Sequence, residues 1–295
     1  MGYMRGITAP LLTTYRTDGR LDLPAYQRLL SFAASGGLKG VFVGGTTGEF
    51  ANLTIDERIE QLQAAMEVAP EGLEVMFNVT ALNLTDVEKM IKAALSLNVR
   101  VLSLTSPYYH IYRPAMLTEY FDWIVKLAPT ASFYLYNMPG MTKNPITNDV
   151  LMAILQTNSN VDGLKDSSMD FMTFLDYQRC TEDRDFELLT GNDAQVLTCL
   201  QAGGAGGLIA MAGVYPKIAQ TIWDAYHDGD MKTALQAQNQ IADLRGIARA
   251  AMPILAHKAM LQIQGIQTGP ARLPFVPLSS DEVKRIEAQV KKVLG

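Results

Sequence analysis

Eight short β-rich runs alternate with amphipathic helical patterns over about the first 210 residues, and this alternation restricts the fold more than any other feature of the chain. The runs are 6–11, 40–43, 74–79, 99–105, 132–136, 161–165, 186–190 and 206–210. Their ends recur every 20 to 36 positions, the length that a strand, a loop, a helix and a return loop consume. The intervening segments carry helix signals of their own. Asp22 can cap a helix in which Tyr26, Leu29, Leu30 and Ala33 fall on one face, and Gly36-Gly37 can end it in a left-handed conformation. Thr54-x-x-Glu57 and Thr85-x-x-Glu88 both read as capping boxes ahead of apolar stripes.

Eight β/α units point to a (β/α)8 TIM barrel rather than an open doubly wound sheet, which more often has five or six strands and a glycine-rich nucleotide turn after the first. Here the first turn reads Pro10-Leu11-Leu12-Thr13-Thr14, with no G-x-G-x-x-G. Beyond residue 210 the β signal gives way to helical patterns at 215–228, 230–249, 252–267 and 279–293. The last three predict a C-terminal three-helix extension over 229–295, packed on a barrel over 1–228. With 48% apolar residues among 295, the chain can bury a core of that size.

The charge and the remaining motifs exclude several classes. A net charge of −5 without clustered Lys and Arg argues against a nucleic-acid partner. No apolar stretch reaches the roughly 18 to 20 residues that a membrane span needs, and residues 1–6 lack the apolar core of a signal peptide, so the expected location is cytoplasmic. Cys180 and Cys199 sit in apolar helical patterns without C-x-x-C spacing and read as buried thiols. His110, His227 and His257 are scattered, which leaves no zinc motif.

In a barrel of this type the C-terminal ends of the strands form the reactive face, so polar residues there are the informative ones. The sixth run ends in Lys165 after Val161 and Leu164. A Lys closing an apolar strand is held partly out of water, where the neutral, nucleophilic amine gains on the ammonium. A Lys that merely begins the next loop fits the spacing as well. The second run ends in Gly44-Gly45-Thr46-Thr47-Gly48-Glu49, whose glycines allow close approach and whose hydroxyls and N–H groups suit a carboxylate; a plain tight loop is the alternative. Tyr108, Tyr109 and Tyr136 are core or rim aromatics, or, beside a reacting carbon, proton shuttles.

Taken in order, Gly-Thr-Thr-Gly-Glu, Ser-Pro-Tyr-Tyr, Tyr-Asn-Met-Pro, Gly-Leu-Lys-Asp and Gly-Asn-Asp resemble the dihydrodipicolinate synthase / N-acetylneuraminate lyase family of class I pyruvate-dependent aldolases. The resemblance extends over essentially the whole chain, the helical tail included. It implies that Lys165 forms a Schiff base with the keto carbon of pyruvate or of a 2-oxo-acid substrate, and that Thr46, Thr47 and Gly48 hold the carboxylate. It implies that Tyr136 moves a proton at the substrate oxygen. Tyr109, supplied by a neighbouring subunit of a homotetramer built as a dimer of dimers, would complete a hydroxyl relay with Thr46 and Tyr136. Leu208 matches a position whose backbone carbonyl lies near the pyruvate. A protonated imine is itself the electron sink for cleavage of the C–C bond beta to it, so no metal or cofactor is expected.

Departures from the family pattern bear on the second half of the substrate. Dihydrodipicolinate synthases carry an Arg five residues after the catalytic Tyr, where this chain has Met141, and Met makes no charge-assisted contact. Arg113 or Lys143 would have to substitute. The allosteric histidines of lysine-inhibited synthases are replaced by Ile55 and Arg58. Against sialic acid lyases, the acidic residue after Gly-x-Asp is Ala194 and the strand-eight Ser is Ala210, while Gly191 and Asp193 keep some capacity for hydroxyl recognition. The resulting expectation is an aldolase cleaving a 2-oxo-3-deoxy sugar acid or similar 4-hydroxy-2-oxo acid to pyruvate and an aldehyde. The alternatives are a dihydrodipicolinate synthase, joining pyruvate to aspartate semialdehyde, and an imine-dependent sugar-acid dehydratase. From a different class comes a non-catalytic 2-oxo-acid sensor, which would need neither Lys165 nor Tyr136.

Overall fold

The structure, a computed structural model, describes residues 3–295. Eight parallel strands close into a barrel in sequence order: β1 (Gly6–Pro10), β2 (Gly40–Val43), β3 (Glu74–Asn78), β4 (Val101–Thr105), β5 (Ser132–Asn137), β6 (Val161–Asp166), β7 (Glu187–Thr190) and β8 (Gly206–Leu208), with β8 pairing back onto β1. Each strand coincides with one of the eight β-rich runs, with ends shifted by no more than two residues. Along each strand, alternate residues serve two different cores. Phe42, Met76, Val101, Tyr134, Tyr136, Leu189 and Leu208 belong to a cluster inside the barrel, while Val41, Phe77, Leu102, Leu135 and Leu164 pack outward under the helices.

The helix caps show why the elements start where they do. Asp22 accepts from the Ala25 N–H to open α1 (Leu23–Ala34), and Gly37 leaves it at φ +77°. Thr54 and Glu57 form a reciprocal capping box on α2 (Ile55–Val68). The second predicted box is overturned. α3 (Leu84–Ser96) begins earlier, with the Asn83 side chain accepting from the Thr85 N–H, so Thr85 lies inside the first turn. Asn at that position satisfies the orphan donor sooner than Thr85 can.

The barrel is completed by α4 (Pro114–Lys126), a short α5 (Pro139–Thr142), α6 (Asn148–Thr157), α7 (Phe171–Cys180), α8 (Val196–Gln201) and α9 (Pro216–His227). Three further helices follow: α10 (Met231–Arg249), α11 (Pro253–Ile263) and α12 (Ser280–Leu294). The predicted helix over 252–267 stops short, because Gly265 turns left-handed at φ +81°. Ile241 and Leu244 of α10, and Ile286 and Val290 of α12, share one apolar cluster with the barrel helices. Among the described residues, no helix is long and apolar enough to cross a membrane.

Candidate active site at the barrel mouth

Sheet register brings the chemistry to one level. Thr105 of β4 pairs with Tyr136 of β5, and Tyr136 with Lys165 of β6, so consecutive strands deliver three polar side chains to one layer at the C-terminal end. Lys165 is 6% exposed. Its Nζ lies 3.9 Å from the centre of the Tyr136 ring and 5.4 Å from that of Phe42, so two aromatic faces hold the amine in place. Gly191 keeps its flank open: a Cβ there would come within 2.9 Å of Lys165 Cε and 1.9 Å of Ser167 Oγ.

The Tyr136 hydroxyl centres a small polar group. It lies 3.3 Å from Thr46 Oγ1 and donates to Met138 Sδ at 3.0 Å, while Thr46 Oγ1 donates to the same sulfur at 3.4 Å. Burial pushes the Tyr136 phenol up, but the charge of Lys165 and the polar side chains of Thr46, Lys165 and Ser167 around it outweigh burial and hold the phenol below its ordinary value.

The 44–49 loop is pinned at both ends by side chains from other elements. Asn78 Nδ2 donates to the Gly44 carbonyl at 2.7 Å, and Thr13 Oγ1 donates to the Gly48 carbonyl at 2.5 Å. Thr13 is held in turn by Gln61 Nε2 at 2.9 Å and, through its carbonyl, by Lys258 Nζ of α11 at 2.6 Å. Within the loop the Glu49 N–H donates to the Thr46 carbonyl at 3.1 Å. The N–H groups of Thr46, Thr47 and Gly48 find no acceptor among the described residues. These free donors stand beside two half-buried hydroxyls, and such a set of groups suits a carboxylate. Glu49 closes the loop in a left-handed conformation, φ +59°, with its carboxylate buried. Burial pushes that carboxyl above its usual range, against the pull of Lys258, Arg272 and Asn52.

The other predicted residues divide. Leu208 ends β8, buried in the barrel interior with Tyr136 and Leu189. Asp193 is buried and engaged by the protein itself: Oδ1 accepts from the Met211 N–H at 2.7 Å, and Oδ2 lies 3.9 Å from Arg245 Nε. Burial raises this carboxyl, opposed by Met211, Arg245 and Lys165. The capacity for hydroxyl recognition expected of Asp193 is therefore directed at the segment after β8 and at α10. Tyr109 is not brought to its expected partners within the chain. It is 86% exposed at φ +81°, stacks edge-on against His110, and makes no hydrogen bond with Thr46 or Tyr136. Met141 is 68% exposed on α5. It borders a cavity of about 160 Å³ shared with Thr46, Phe50, Ala51, Tyr108 and Met138. Ile55 is half-buried, Arg58 is buried, and Arg113 and Lys143 are exposed.

Several contributors escaped the sequence reading. Met138 and Ser167 each lie two residues past a residue that was recognised, Tyr136 and Lys165, and the period of two along a strand end was the signal available. Thr13, Asn78 and Gln61 carried no local signal, since each acts on a loop distant in sequence.

The dihydrodipicolinate synthetase family model matches residues 3–293. An uncharacterized DapA-like lyase of Thermofilum pendens is 30% identical over 294 residues, which cover 98% of this chain and 97% of the relative. A 4-hydroxy-tetrahydrodipicolinate synthase of Methanosphaerula palustris is 28% identical over 280 residues, 94% of this chain and 95% of the relative. Among solved structures, YagE of Escherichia coli K12 in complex with pyruvate superposes with a TM-score of 0.95 at 22% identity, covering 99% of each chain. The sialic acid aldolase of Ruminococcus gnavus gives 0.93 at 22% identity, covering 99% of this chain and 98% of that one. A variant of the Sulfolobus solfataricus 2-keto-3-deoxygluconate aldolase gives 0.90 at 24% identity, with coverages of 98% and 96%. At these identities the structural matches speak to the fold.

Proposed function

Because this chain belongs to the dihydrodipicolinate synthetase family, we propose that it is a Schiff-base lyase acting on a 2-oxo acid through Lys165. The observation that carries the reading is the buried amine of Lys165 against the Tyr136 ring, with the Tyr136 hydroxyl beside Thr46 and free N–H groups in the loop that follows β2. The loop N–H groups hold the carboxylate. The Lys165 amine adds to the keto carbon, the Tyr136 phenol gives its proton to the departing hydroxyl so that water leaves, and a protonated imine and the Tyr136 phenolate remain. The C3–C4 bond then breaks as the C4 hydroxyl gives its proton to the Tyr136 oxygen. The bond electrons pass into the imine and yield a neutral enamine, while C4 departs as an aldehyde. Protonation at C3 and addition of water release pyruvate and restore the amine.

The substrate we favour is a 4-hydroxy-2-oxo acid, with the 2-oxo-3-deoxy sugar acids as the first compounds to assay. Condensation of pyruvate with aspartate semialdehyde is the second reading, supported by the synthases among the relatives. Against it stands Met141 at the rim, with the exposed Arg113 and Lys143 the available replacements. Loss of water from the same imine would make the enzyme a dehydratase, and a coupled pyruvate assay over 2-oxo-3-deoxy acids separates the two outcomes. Tyr109 acting from a neighbouring subunit of a cytoplasmic homotetramer fits its exposed, left-handed setting. Borohydride reduction in the presence of pyruvate is the decisive test of the imine: the mass of a reduced adduct is expected on Lys165, and its absence would sink the reading.

A further inference from the structure

α2 carries a buried cation that the chemistry above leaves unused. Arg58 is 2% exposed. Its Nη1 donates to the Thr80 carbonyl at 2.7 Å and its Nη2 to the Asn78 carbonyl, while the Phe50 and Phe77 rings lie 5.2 and 6.0 Å from Cζ. Nε has no partner, and no carboxylate of the described residues forms an ion pair with the guanidinium. A buried charge whose only partners are neutral carbonyls is costly, and such charges are ordinarily paired. Burial pulls Arg58 down to about 10, opposed only in part by Tyr108 and Asp86, so the group is still a cation at neutral pH.

Its position gives that charge a use. The Asn78 whose carbonyl it takes is the residue that fixes the Gly44 carbonyl, and Arg58 Nε would stand 3.7 Å from a Cβ at Gly44. The cation thus lies directly behind the start of the loop that offers three free N–H groups. We propose that Arg58 is a positioning residue for the carboxylate of the 2-oxo acid through its charge: the bound anion is the counter-charge that the protein itself does not supply. The inference rests on the imine reading, which brings that anion to the loop.

Pyruvamide separates charge from shape, because it presents the same keto carbon to Lys165 with a neutral amide in place of the carboxylate. Half-saturating concentrations for borohydride trapping on Lys165 are to be measured with pyruvate and with pyruvamide, on the unaltered protein and on Arg58→Gln. Removing the charge is expected to weaken trapping of pyruvate by about tenfold or more and to leave pyruvamide within about twofold. An equal fall for both ketones, or no fall for pyruvate, overturns the proposal. Arg58→Met repeats the test should the Gln variant not fold. If neither neutral variant folds, the charge serves the fold and the inference fails. Failure of the unaltered protein to trap either ketone is a different result, since it removes the imine reading and this inference with it.

Discussion

At the floor of the barrel mouth, Lys165, Tyr136 and the 44–49 loop are buried or half-buried and braced by Asn78, Thr13, Gln61 and Lys258 from four other parts of the chain. At the rim, Tyr109 and Met141 stand 86% and 68% exposed and lie on short connecting segments. Both regions contain left-handed non-glycine residues, Glu49 at the floor and Tyr109 and Lys143 at the rim. The Tyr109 segment is pinned as well, since Asn144 Nδ2 donates to the Pro107 carbonyl at 2.8 Å and its Oδ1 accepts from the Tyr112 N–H at 2.8 Å, so the two regions differ in exposure rather than in bracing. On the proposed chemistry, the contrast in exposure follows from what each region would have to do. A covalent step requires reacting atoms placed to within a fraction of an ångström, which strands and their register provide. Choosing an aldehyde requires a surface that changes without disturbing that register, which loops provide.

The largest effects are therefore expected at the floor. Lys165→Ala should abolish the borohydride adduct and lower kcat/KM by on the order of 10⁴-fold or more, read from pyruvate release. Tyr136→Phe should keep the adduct and lower kcat by about 10²- to 10⁴-fold. It carries a pH signature as well. The protonated phenol is the form that gives its proton to the departing hydroxyl as the imine forms, and the phenol lies below its usual value of about 10, so kcat/KM should begin to fall with rising pH earlier than an ordinary phenol allows. That alkaline limb should be missing in Tyr136→Phe; a limb unchanged in the variant would assign it to another group. Tyr109→Phe comes next, with a loss of about ten- to a hundredfold. If the hydroxyl is supplied in trans, mixing this variant with Lys165→Ala should recover activity as subunits exchange. Recovery would join part of the rim to the floor of a neighbour, and its absence would leave Tyr109 a rim residue of its own chain.

The same contrast explains how much was legible in the sequence. The barrel was readable because each of its eight strands carries its own apolar pattern, and the order of motifs at strand ends was enough to mark Lys165, Tyr136 and Thr46. Caps were readable where one residue had no rival, as at Asp22 and Thr54, and misread where Asn83 lies two positions ahead of Thr85. The braces behind the floor were not readable. Thr13 meets Gly48 across 35 positions and Lys258 meets Thr13 across 245, and nothing local to either residue announces the contact. Asp193 shows the converse, since a motif residue expected to face substrate spends its carboxylate on Met211 and Arg245. Identity was legible where it served bonding within one element; partnership between elements required the fold.

Two smaller substitutions test whether floor and rim are separable. Thr13→Val keeps the volume but removes the hydroxyl that holds the Gly48 carbonyl and receives Gln61. A lost hydrogen bond of about 1 kcal/mol predicts a rise of roughly fivefold in KM for the 2-oxo acid with kcat little changed. Buried partners left unsatisfied should also lower thermal stability, with a cost of about 1 to 3 kcal/mol in unfolding free energy. Met141→Arg is the smallest change for the pyruvate half. At 68% exposure the longer side chain needs no repacking, so trapping of pyruvate should stay within about twofold of the unaltered protein. For an aldehyde bearing its own carboxylate the same variant should gain about tenfold in kcat/KM through a charge-assisted contact at the rim. If Met141→Arg instead weakens pyruvate trapping as far as Thr13→Val does, the rim is coupled to the 44–49 loop through the Thr46 and Met138 contact, and the two regions have to be treated as one site.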